Sequence, residues 1–219
     1  MGFRLYLITD RKQFKETSNF SLPTSHLITA SRQALKGGVK AIQLREKDLG
    51  TRELLKLAYK MRELTKTYNA KLFINDRFDI ALAVGADGVH LTQNSVTPDI
   101  VKRVAGRKLL VGASTHSLKE AKAAEKAGAD FLTLGPVYRT PSKLKYGKPL
   151  GIDVLKNVCS KVKIPVFAVG GIKSQRVKEV MEAGAYGAAM ISEILGADDI
   201  KGKAEEINDD WIPVCAGMT

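Results

Sequence analysis

Four breaks of small residues, each followed by a short apolar segment, divide this 219-residue chain at similar intervals. The four stretches occupy residues 37–43, 85–91, 128–134 and 184–190. Each interval is about twice the length of one strand-plus-helix unit, so a further strand is expected inside each gap. Apolar segments at 71–74, 108–111 and 164–169 meet that expectation, and residues 4–8 bring the predicted strands to eight.

Helical patterns lie between these strands. Residues 51–68 carry leucines at spacings of three and four, and residues 118–127 follow Ser117, a good N-cap with Glu120 three positions later. Strand and helix alternating eight times predict a single-domain α/β fold, the (β/α)8 TIM barrel. An open doubly wound sheet is the alternative, and it is disfavoured because no Gly-x-Gly-x-x-Gly follows the first strand.

The predicted barrel spans residues 1–207, and residues 208–219, which are not amphipathic, are predicted to form a C-terminal tail outside it. The first ten residues resemble a strand rather than a signal peptide, and no apolar run approaches the length of a membrane span. Only Cys159 and Cys215 are present, which is too few for a disulfide framework. We therefore expect a cytoplasmic protein without a membrane partner.

The formal net charge of +12 comes from lysines scattered over the predicted helices rather than gathered in one stripe. Such a surface favours solubility and small anionic substrates over a nucleic-acid partner. The sequence leaves the oligomeric state open, and a homo-oligomer is compatible with it.

Polar residues follow the strands where a barrel of this class has its active site. After the second strand, Gln43, Arg45 and Lys47 share one face by two-residue alternation and could bind a pyrophosphate, the alternative being a salt-bridged rim. After the third strand, Asn75 and Asp76 could orient a ring and bind a divalent cation, the alternative being an Asx turn with Arg77 as partner.

The paired glycines after the seventh strand, Gly170 and Gly171, leave backbone N–H groups uncovered at the point where a helix begins. With Ser192 after the eighth strand they form a predicted phosphate site, the alternative being an ordinary strand-to-helix turn. The long segment 135–151 is predicted to be a lid over an anionic substrate. His90 is predicted to be a hydrogen-bonded structural residue, and the histidines lack the spacing of a zinc site.

An ordered set of motifs resembles the thiamine-phosphate synthase family, which also includes the TenI-type proteins. The motifs are Tyr-Leu-Ile-Thr-Asp at 6–10, Gln-Leu-Arg-Glu-Lys at 43–47, Ile-Asn-Asp-Arg at 74–77, Gly-Ala-Asp-Gly-Val-His-Leu at 85–91, Ser-Thr-His-Ser at 114–117, Gly-Pro-Val-Tyr at 135–138, Ala-Val-Gly-Gly-Ile at 168–172 and Met-Ile-Ser at 190–192. Each motif alone is weak, but their order over residues 4–195 is specific.

The resemblance implies a transferase that joins hydroxymethylpyrimidine diphosphate to a thiazole phosphate and releases pyrophosphate. It implies that the diphosphate is held by Gln43, Arg45, Lys47, Ser114 and Lys143, of which all but Gln43 are expected to be catalytic. It implies that Asn75 positions the pyrimidine and that Asp76 binds Mg²⁺. It also implies that Thr140, Gly171 and Ser192 lie on the thiazole-phosphate side.

Two positions depart from the family patterns. The synthases carry an acidic metal ligand after the fourth strand, where this chain has Thr-Gln-Asn-Ser at 92–95, so that Ser95 occupies the second metal position. The thiazole tautomerases of the TenI type carry a histidine after the glycine of the sixth strand, where this chain has Pro136. A tautomerase and a non-catalytic thiazole-phosphate-binding regulator therefore remain alternatives to the synthase.

Overall fold

The computed structural model describes residues 1–14, 23–140 and 148–211. Within them, eight parallel strands form a closed barrel in chain order, which confirms the predicted fold. The strands are β1 Leu5–Ile8, β2 Ala41–Leu44, β3 Lys71–Asn75, β4 Gly88–Leu91, β5 Leu110–Thr115, β6 Phe131–Leu134, β7 Val166–Val169 and β8 Gly187–Met190. The ring closes where Tyr6 of β1 pairs with Ala189 of β8.

Helices surround the barrel. In the described part of the chain they are α1 Pro23–Lys36, α2 Thr51–Thr67, α3 Phe78–Ala83, α4 Pro98–Ala105, α5 Leu118–Lys126, α6 Ile152–Cys159, α7 Val177–Glu182, α8 Ser192–Leu195 and α9 Ile200–Asp210. Single 3₁₀ turns cover Arg11–Gln13, Gly106–Lys108 and Ser174–Arg176. The predicted cap of α5 is present, since the Ser117 hydroxyl accepts a hydrogen bond from the Glu120 N–H.

The lower interior of the barrel is filled by aromatic rings. Phe3, Tyr6, Phe73, Phe131 and Phe167 are buried and pack on one another. Side chains that point inward alternate with side chains that pack under the helices, as expected for a barrel. The rings make the interior a packed core rather than a channel.

Glycines on neighbouring strands make room for three of these rings. Gly88 pairs with Phe73, and Gly187 pairs with Phe167. A Cβ atom at either glycine would lie 2.5 to 2.6 Å from the paired ring. The third glycine, Gly112, pairs with Phe131 in the same way. Each of these three rings therefore pairs with a glycine on a neighbouring strand, which leaves room for the ring in the close-packed interior.

Several strand and helix boundaries differ from the sequence prediction, among them the start of the seventh strand, which is Val166 rather than residue 164. The fifth strand begins at Leu110 because Gly106–Lys108 forms a 3₁₀ turn, and it runs on through Thr115. At the C-terminus, α9 continues through Asp210, and Trp211 is buried in the core. The amide of Asn208 also donates to the Gly37 carbonyl oxygen. Residues 208–211, assigned to the tail from their sequence, therefore pack on the barrel, and residues 212–219 lie outside the described residues.

Candidate active site at the carboxyl ends of the strands

A layer of polar side chains lies above the aromatic rings, toward the carboxyl ends of the strands. Gln43, Asn75, His90, Ser114 and Thr133 each stand two residues beyond an interior position of the layer below. The Gln43 amide donates to Asn75 Oδ1 across 3.4 Å. His90 Nε2 lies 3.1 Å from Ser114 Oγ and 3.3 Å from Thr133 Oγ1. Five neighbouring strands, β2 to β6, thus bring three predicted site residues into one layer.

The central residue of this layer is His90, and the prediction that it is a hydrogen-bonded buried residue is confirmed. Its other ring nitrogen, Nδ1, lies 3.5 Å from the Tyr6 hydroxyl. Burial, with a smaller contribution from the Arg45 cation, lowers the pKa of His90 to about 3. The imidazole is therefore neutral at physiological pH and faces hydroxyl groups rather than carboxylates.

The predicted cations follow β2. Arg45 is half-buried just beyond the strand, and its guanidinium forms no hydrogen bond or ion pair with the residues that the structure describes. Lys47 is exposed. β2 ends at Leu44, so Arg45 and Lys47 both lie beyond the strand, Lys47 in a turn, and strand alternation does not by itself align them with Gln43. Lys143, the third cation predicted to bind the diphosphate, lies outside the described residues.

Asp76, the predicted metal ligand, stands directly after β3 with a left-handed backbone, φ 65°. Its N–H donates to the His90 carbonyl oxygen, and its side chain is exposed. Arg77 forms a bidentate pair with Asp79 at 2.6 and 2.9 Å and does not hydrogen-bond Asp76. Within the described residues the Asp76 carboxylate accepts no hydrogen bond, so its oxygens are oriented by the strand end rather than by a partner.

Ser95, the second predicted metal position, has a different set of contacts. Its hydroxyl oxygen accepts a hydrogen bond from the Thr92 N–H at 2.8 Å and lies 3.0 Å from Thr92 Oγ1. Ser95 therefore closes the turn after β4. In the described ranges no group of three or more His, Cys, Asp or Glu side chains could hold a metal ion. The donors available are the Asp76 carboxylate after β3 and the hydroxyls of Thr92 and Ser95 after the neighbouring strand β4, which fits an ion completed by substrate phosphate and water.

The loops after β6 and β7 lie side by side. The N–H of Val137 donates to the Val169 carbonyl, and the N–H of Tyr138 donates to the Gly170 carbonyl, at 2.9 and 3.0 Å. Gly171 has φ 66°, and a Cβ there would lie 2.8 Å from the Arg139 carbonyl oxygen. The glycine pair is thus required both by left-handed backbone and by the neighbouring loop.

Side chains fasten these two loops from outside. Arg176 donates to the Gly171 carbonyl at 3.1 Å and stacks on the Tyr138 ring at 4.1 Å. The Tyr138 hydroxyl donates to Glu179 at 2.6 Å. Burial and the Glu179 carboxylate raise the pKa of Tyr138 to about 12, so the phenol stays protonated. Thr140 ends the described part of this loop and is half-buried, while residues 141–147 of the predicted lid lie outside the described residues.

The loop after β7 is joined to the start of α8 through Glu193. Its carboxylate accepts hydrogen bonds from Lys173 Nζ at 2.6 Å and from the N–H and hydroxyl of Ser174, both at 3.2 Å. Ser192, the residue before it, is exposed at the first position of α8. The structure therefore places the glycine pair and Ser192 on adjoining loops.

Two residues at this end of the barrel were not predicted as site residues. Thr9 and Glu46 are both buried, and the Thr9 hydroxyl donates to Glu46 at 2.6 Å. They belong to the ends of adjacent strands, β1 and β2, so their position was available from the sequence. The burial of the Glu46 carboxylate beside Arg11 was not evident from the motif, because strand alternation does not say which side chains beyond a strand end become buried.

A cavity of about 460 Å³ lies at the opposite end of the barrel, before β2 and β3. It is lined by Lys40, Arg62, Lys66, Lys71 and Asp87 among others, and contains no predicted site residue. No helix in the described ranges is both long and apolar enough to cross a membrane.

Comparison with known proteins places the chain in a family. The family model described as thiamine monophosphate synthase matches residues 5–194. A solved structure of thiamine phosphate pyrophosphorylase from Pyrococcus furiosus has 38% identity and a TM-score of 0.83, with 95% of each chain covered.

Two relatives from Aquifex aeolicus show the same likeness. Thiamine-phosphate synthase 1 is 40% identical over 94% of this chain and 92% of its own length. A second protein, whose name assigns it provisionally as thiamine-phosphate synthase 2, is 52% identical over 88% of this chain and 97% of its own. The match runs through the strand ends that carry the polar layer, the cations and the glycine loops, and the chain belongs to the thiamine monophosphate synthase family.

Proposed function

We propose that this protein is a thiamine-phosphate synthase, a transferase that joins hydroxymethylpyrimidine diphosphate to a thiazole phosphate. The main support for this proposal is the position of Arg45 beside a buried polar layer at the carboxyl ends of the strands. Its guanidinium forms no hydrogen bond or ion pair with the described residues. A cation without a protein carboxylate is available for a substrate anion. The family to which the chain belongs supports this assignment.

In the proposed complex the diphosphate lies on Gln43, Arg45, Lys47, Ser114 and Lys143. Loss of pyrophosphate breaks the bond between the pyrimidine methylene carbon and the diphosphate oxygen, and the thiazole nitrogen forms the new bond to that carbon. Negative charge grows on the departing oxygen, so cations fixed beside it lower the barrier. The exchange needs no proton transfer, which is compatible with the neutral His90 below the site.

Asn75, fixed by Gln43 on one side, would position the pyrimidine ring. Asp76 would hold Mg²⁺ together with the diphosphate, with Ser95 at the second position. When bound, the ion would add to the neutralisation of the departing pyrophosphate. Asp76 supplies the oxygen donor that Mg²⁺ prefers, and one carboxylate with substrate phosphate is a common magnesium arrangement.

The test is a paired assay with both substrates supplied. Pyrophosphate release identifies the synthase, while isomerisation of the thiazole without pyrophosphate identifies a tautomerase. Absence of both, with binding of the thiazole phosphate retained, identifies a regulator. We expect pyrophosphate release, and either of the other results would overturn the proposal.

A second candidate, a TenI-type tautomerase or regulatory paralogue, is favoured by one observation. Ser95 stands where the synthases carry an acid, and its hydroxyl is committed to Thr92. Against the tautomerase, Pro136 occupies the position of its histidine.

We place the protein in the cytoplasm. Cys159 is half-buried and forms no disulfide within the part of the chain that the structure describes. Burial raises the pKa of its thiol to about 11, so the thiol is protonated and slow to react.

The thiazole phosphate is proposed to bind beside Gly170, Gly171, Thr140 and Ser192. We expect Ser192→Ala to weaken binding of the phosphorylated thiazole by roughly 10-fold, the effect of losing one hydrogen bond to a charged group. Binding of the unphosphorylated alcohol should change far less. Calorimetry with both ligands measures the difference, and Ser160→Ala, at the end of α6, is the control.

An equal loss of affinity for both ligands would show that the phosphate does not bind at Ser192. The variant Gly171→Val is less informative, although it should also weaken phosphate binding. Its added Cβ would meet the Arg139 carbonyl oxygen, so it would disturb the loop after β6 as well as the ligand.

A further inference from the structure

Glu46 is a carboxylate buried at the end of β2, with its side chain 2% exposed. It accepts hydrogen bonds from the Thr9 hydroxyl at 2.6 Å, the Arg11 N–H at 3.1 Å and Arg11 Nη1 at 3.4 Å. A buried carboxylate is costly unless such donors satisfy it. Glu46 therefore fixes the segment after β1 to the segment after β2.

The Thr9 hydroxyl links Glu46 to the backbone of Arg45 through two hydrogen bonds. A hydroxyl has one proton, and Thr9 gives it to Glu46, so the oxygen lone pairs are directed elsewhere. They accept the N–H of Arg45 at 2.9 Å. The Thr9 N–H in turn donates to the Gln43 carbonyl oxygen at 2.9 Å. Thr9, which is fully buried, thus holds both backbone groups next to the proposed anion site.

Ion pairs at the surface also connect the segment after β1 to the segment after β2. Arg11 Nη1 lies 2.9 Å from Asp48, and Lys12 Nζ lies 3.2 Å from the other Asp48 oxygen. Among the described residues, the Asp48 carboxylate forms no hydrogen bond with Thr9 or with the Arg45 backbone. Asp48 therefore pairs with Arg11, as Glu46 does, but does not belong to the hydrogen bonds that reach the Arg45 backbone.

We propose that Glu46 and Thr9 are positioning residues, which hold the backbone of Arg45 so that its guanidinium meets the diphosphate. The proposal rests on the proposed function, since it takes the anion at Arg45 to be the pyrimidine diphosphate or its pyrophosphate product. A displacement of about 1 Å in a positioning group can cost on the order of 100-fold in rate. Neither residue needs to touch the substrate.

Charge alone predicts the opposite sign for the removal of Glu46. A carboxylate close to a bound diphosphate repels it, so loss of that charge should strengthen anion binding. Loss of the hydrogen bonds that hold Arg45 should weaken it. The direction of the change therefore separates a positioning role from simple electrostatics.

The experiment compares Thr9→Val, Thr9→Ser, Glu46→Gln and Asp48→Asn with the wild type. Calorimetry gives the Kd of inorganic pyrophosphate, and steady-state kinetics gives KM for each substrate. We expect Thr9→Val, which is nearly isosteric but lacks the hydroxyl, to raise the pyrophosphate Kd and the KM for the pyrimidine diphosphate by roughly 10- to 100-fold. Thr9→Ser should restore both, and KM for the thiazole phosphate should stay within about twofold.

Glu46→Gln should also weaken pyrophosphate binding, by a smaller factor, because Gln keeps an acceptor for Thr9 but loses the acceptor for the Arg11 N–H. Asp48→Asn should leave binding unchanged or slightly tighter. Thr9→Val leaves Glu46 with one donor fewer, so its folding is checked by thermal unfolding. If Thr9→Val does not fold, the direction of the change in pyrophosphate Kd of Glu46→Gln tests the positioning role instead.

Pyrophosphate binding in Thr9→Val or Glu46→Gln as tight as in the wild type, or tighter, would overturn the positioning role. An equal rise in KM for both substrates would also overturn it, since that indicates general loosening. A wild type that neither releases nor binds pyrophosphate would refute the proposed function itself. If the wild type releases pyrophosphate but the variants bind pyrophosphate as tightly as it does, the positioning role is wrong and the proposed function stands.

Discussion

Replacing Asp76 should remove pyrophosphate release almost completely, by a factor on the order of 10³ or more, because the proposed Mg²⁺, which would neutralise the departing pyrophosphate, would lose its proposed carboxylate ligand. The Asp76 carboxylate accepts no hydrogen bond within the described residues, so its loss leaves no protein donor unsatisfied. The measurement is pyrophosphate release against Mg²⁺ concentration with both substrates present. Mg²⁺-dependent binding of inorganic pyrophosphate, followed by calorimetry, gives a reading that does not depend on turnover.

The choice of variant follows from the backbone at Asp76. Its φ of 65° is tolerated by Asp and Asn but costs other residues about 1–2 kcal/mol. Asp76→Asn therefore removes the charge with little backbone strain, whereas Asp76→Ala combines both effects. Asp79→Asn is the matched control, because Asp79 is a nearby exposed carboxylate that pairs with Arg77 and is not a proposed ligand.

Ser95→Asp tests the second metal position in the opposite direction. An aspartate there can still accept the Thr92 N–H with one oxygen and offer the other to the ion. We expect it to lower the Mg²⁺ concentration that gives half-maximal activity. A wild type that turns over normally and is indifferent to Asp76→Asn would show that the metal assignment is wrong, even with the family correct.

The barrel was predictable because four short apolar strands follow breaks of small residues at similar intervals, with room for a further strand in each gap. The site layer was predictable in part, because strand ends that carry Gln43, Asn75 and Ser114 must meet at one end of a closed barrel. Arg45 and Lys47 both follow the end of the strand at Leu44, so alternation within the strand does not fix the direction of either side chain.

Other features depend on contacts between distant segments. The pairing of Gly88 with Phe73 needs the strand register, which sequence spacing does not fix to one residue. The glycine pair after β7 was interpreted as a bare-amide phosphate site, and the structure adds a second reason, since Gly171 lies against the Arg139 carbonyl oxygen. Trp211 was assigned to the tail because a single buried aromatic at a helix end leaves no periodic pattern.

Stability should fall as the pH decreases below about 6.5, and much of that fall should come from His90. The imidazole is buried among the hydroxyls of Tyr6, Ser114 and Thr133, and within the described residues no carboxylate contacts it. Desolvation, assisted by the Arg45 cation, lowers the pKa of His90 in the folded protein to about 3. In the unfolded chain the same ring takes up a proton near pH 6.5.

Between these two values the unfolded state binds a proton that the folded state does not, so each pH unit below 6.5 should cost about 1.4 kcal/mol of unfolding free energy. Above pH 6.5 the contribution is complete and constant. Urea unfolding at several pH values between 7.5 and 4.5 measures it in the wild type and in His90→Asn. The other titrating groups are common to both proteins, so the difference in unfolding free energy isolates His90.

We expect His90→Asn to be less stable than the wild type at pH 7.5, because a shorter side chain leaves Ser114 and Thr133 poorly partnered. The gap should then narrow by about 1.4 kcal/mol for each pH unit below 6.5, since the variant has no imidazole to protonate on unfolding. A gap that stays constant down to pH 4.5 would mean that His90 takes up its proton equally in both states. In that case the folded protein must accommodate an imidazolium among these hydroxyls. The conclusion that His90 is neutral below the proposed diphosphate site would then be wrong.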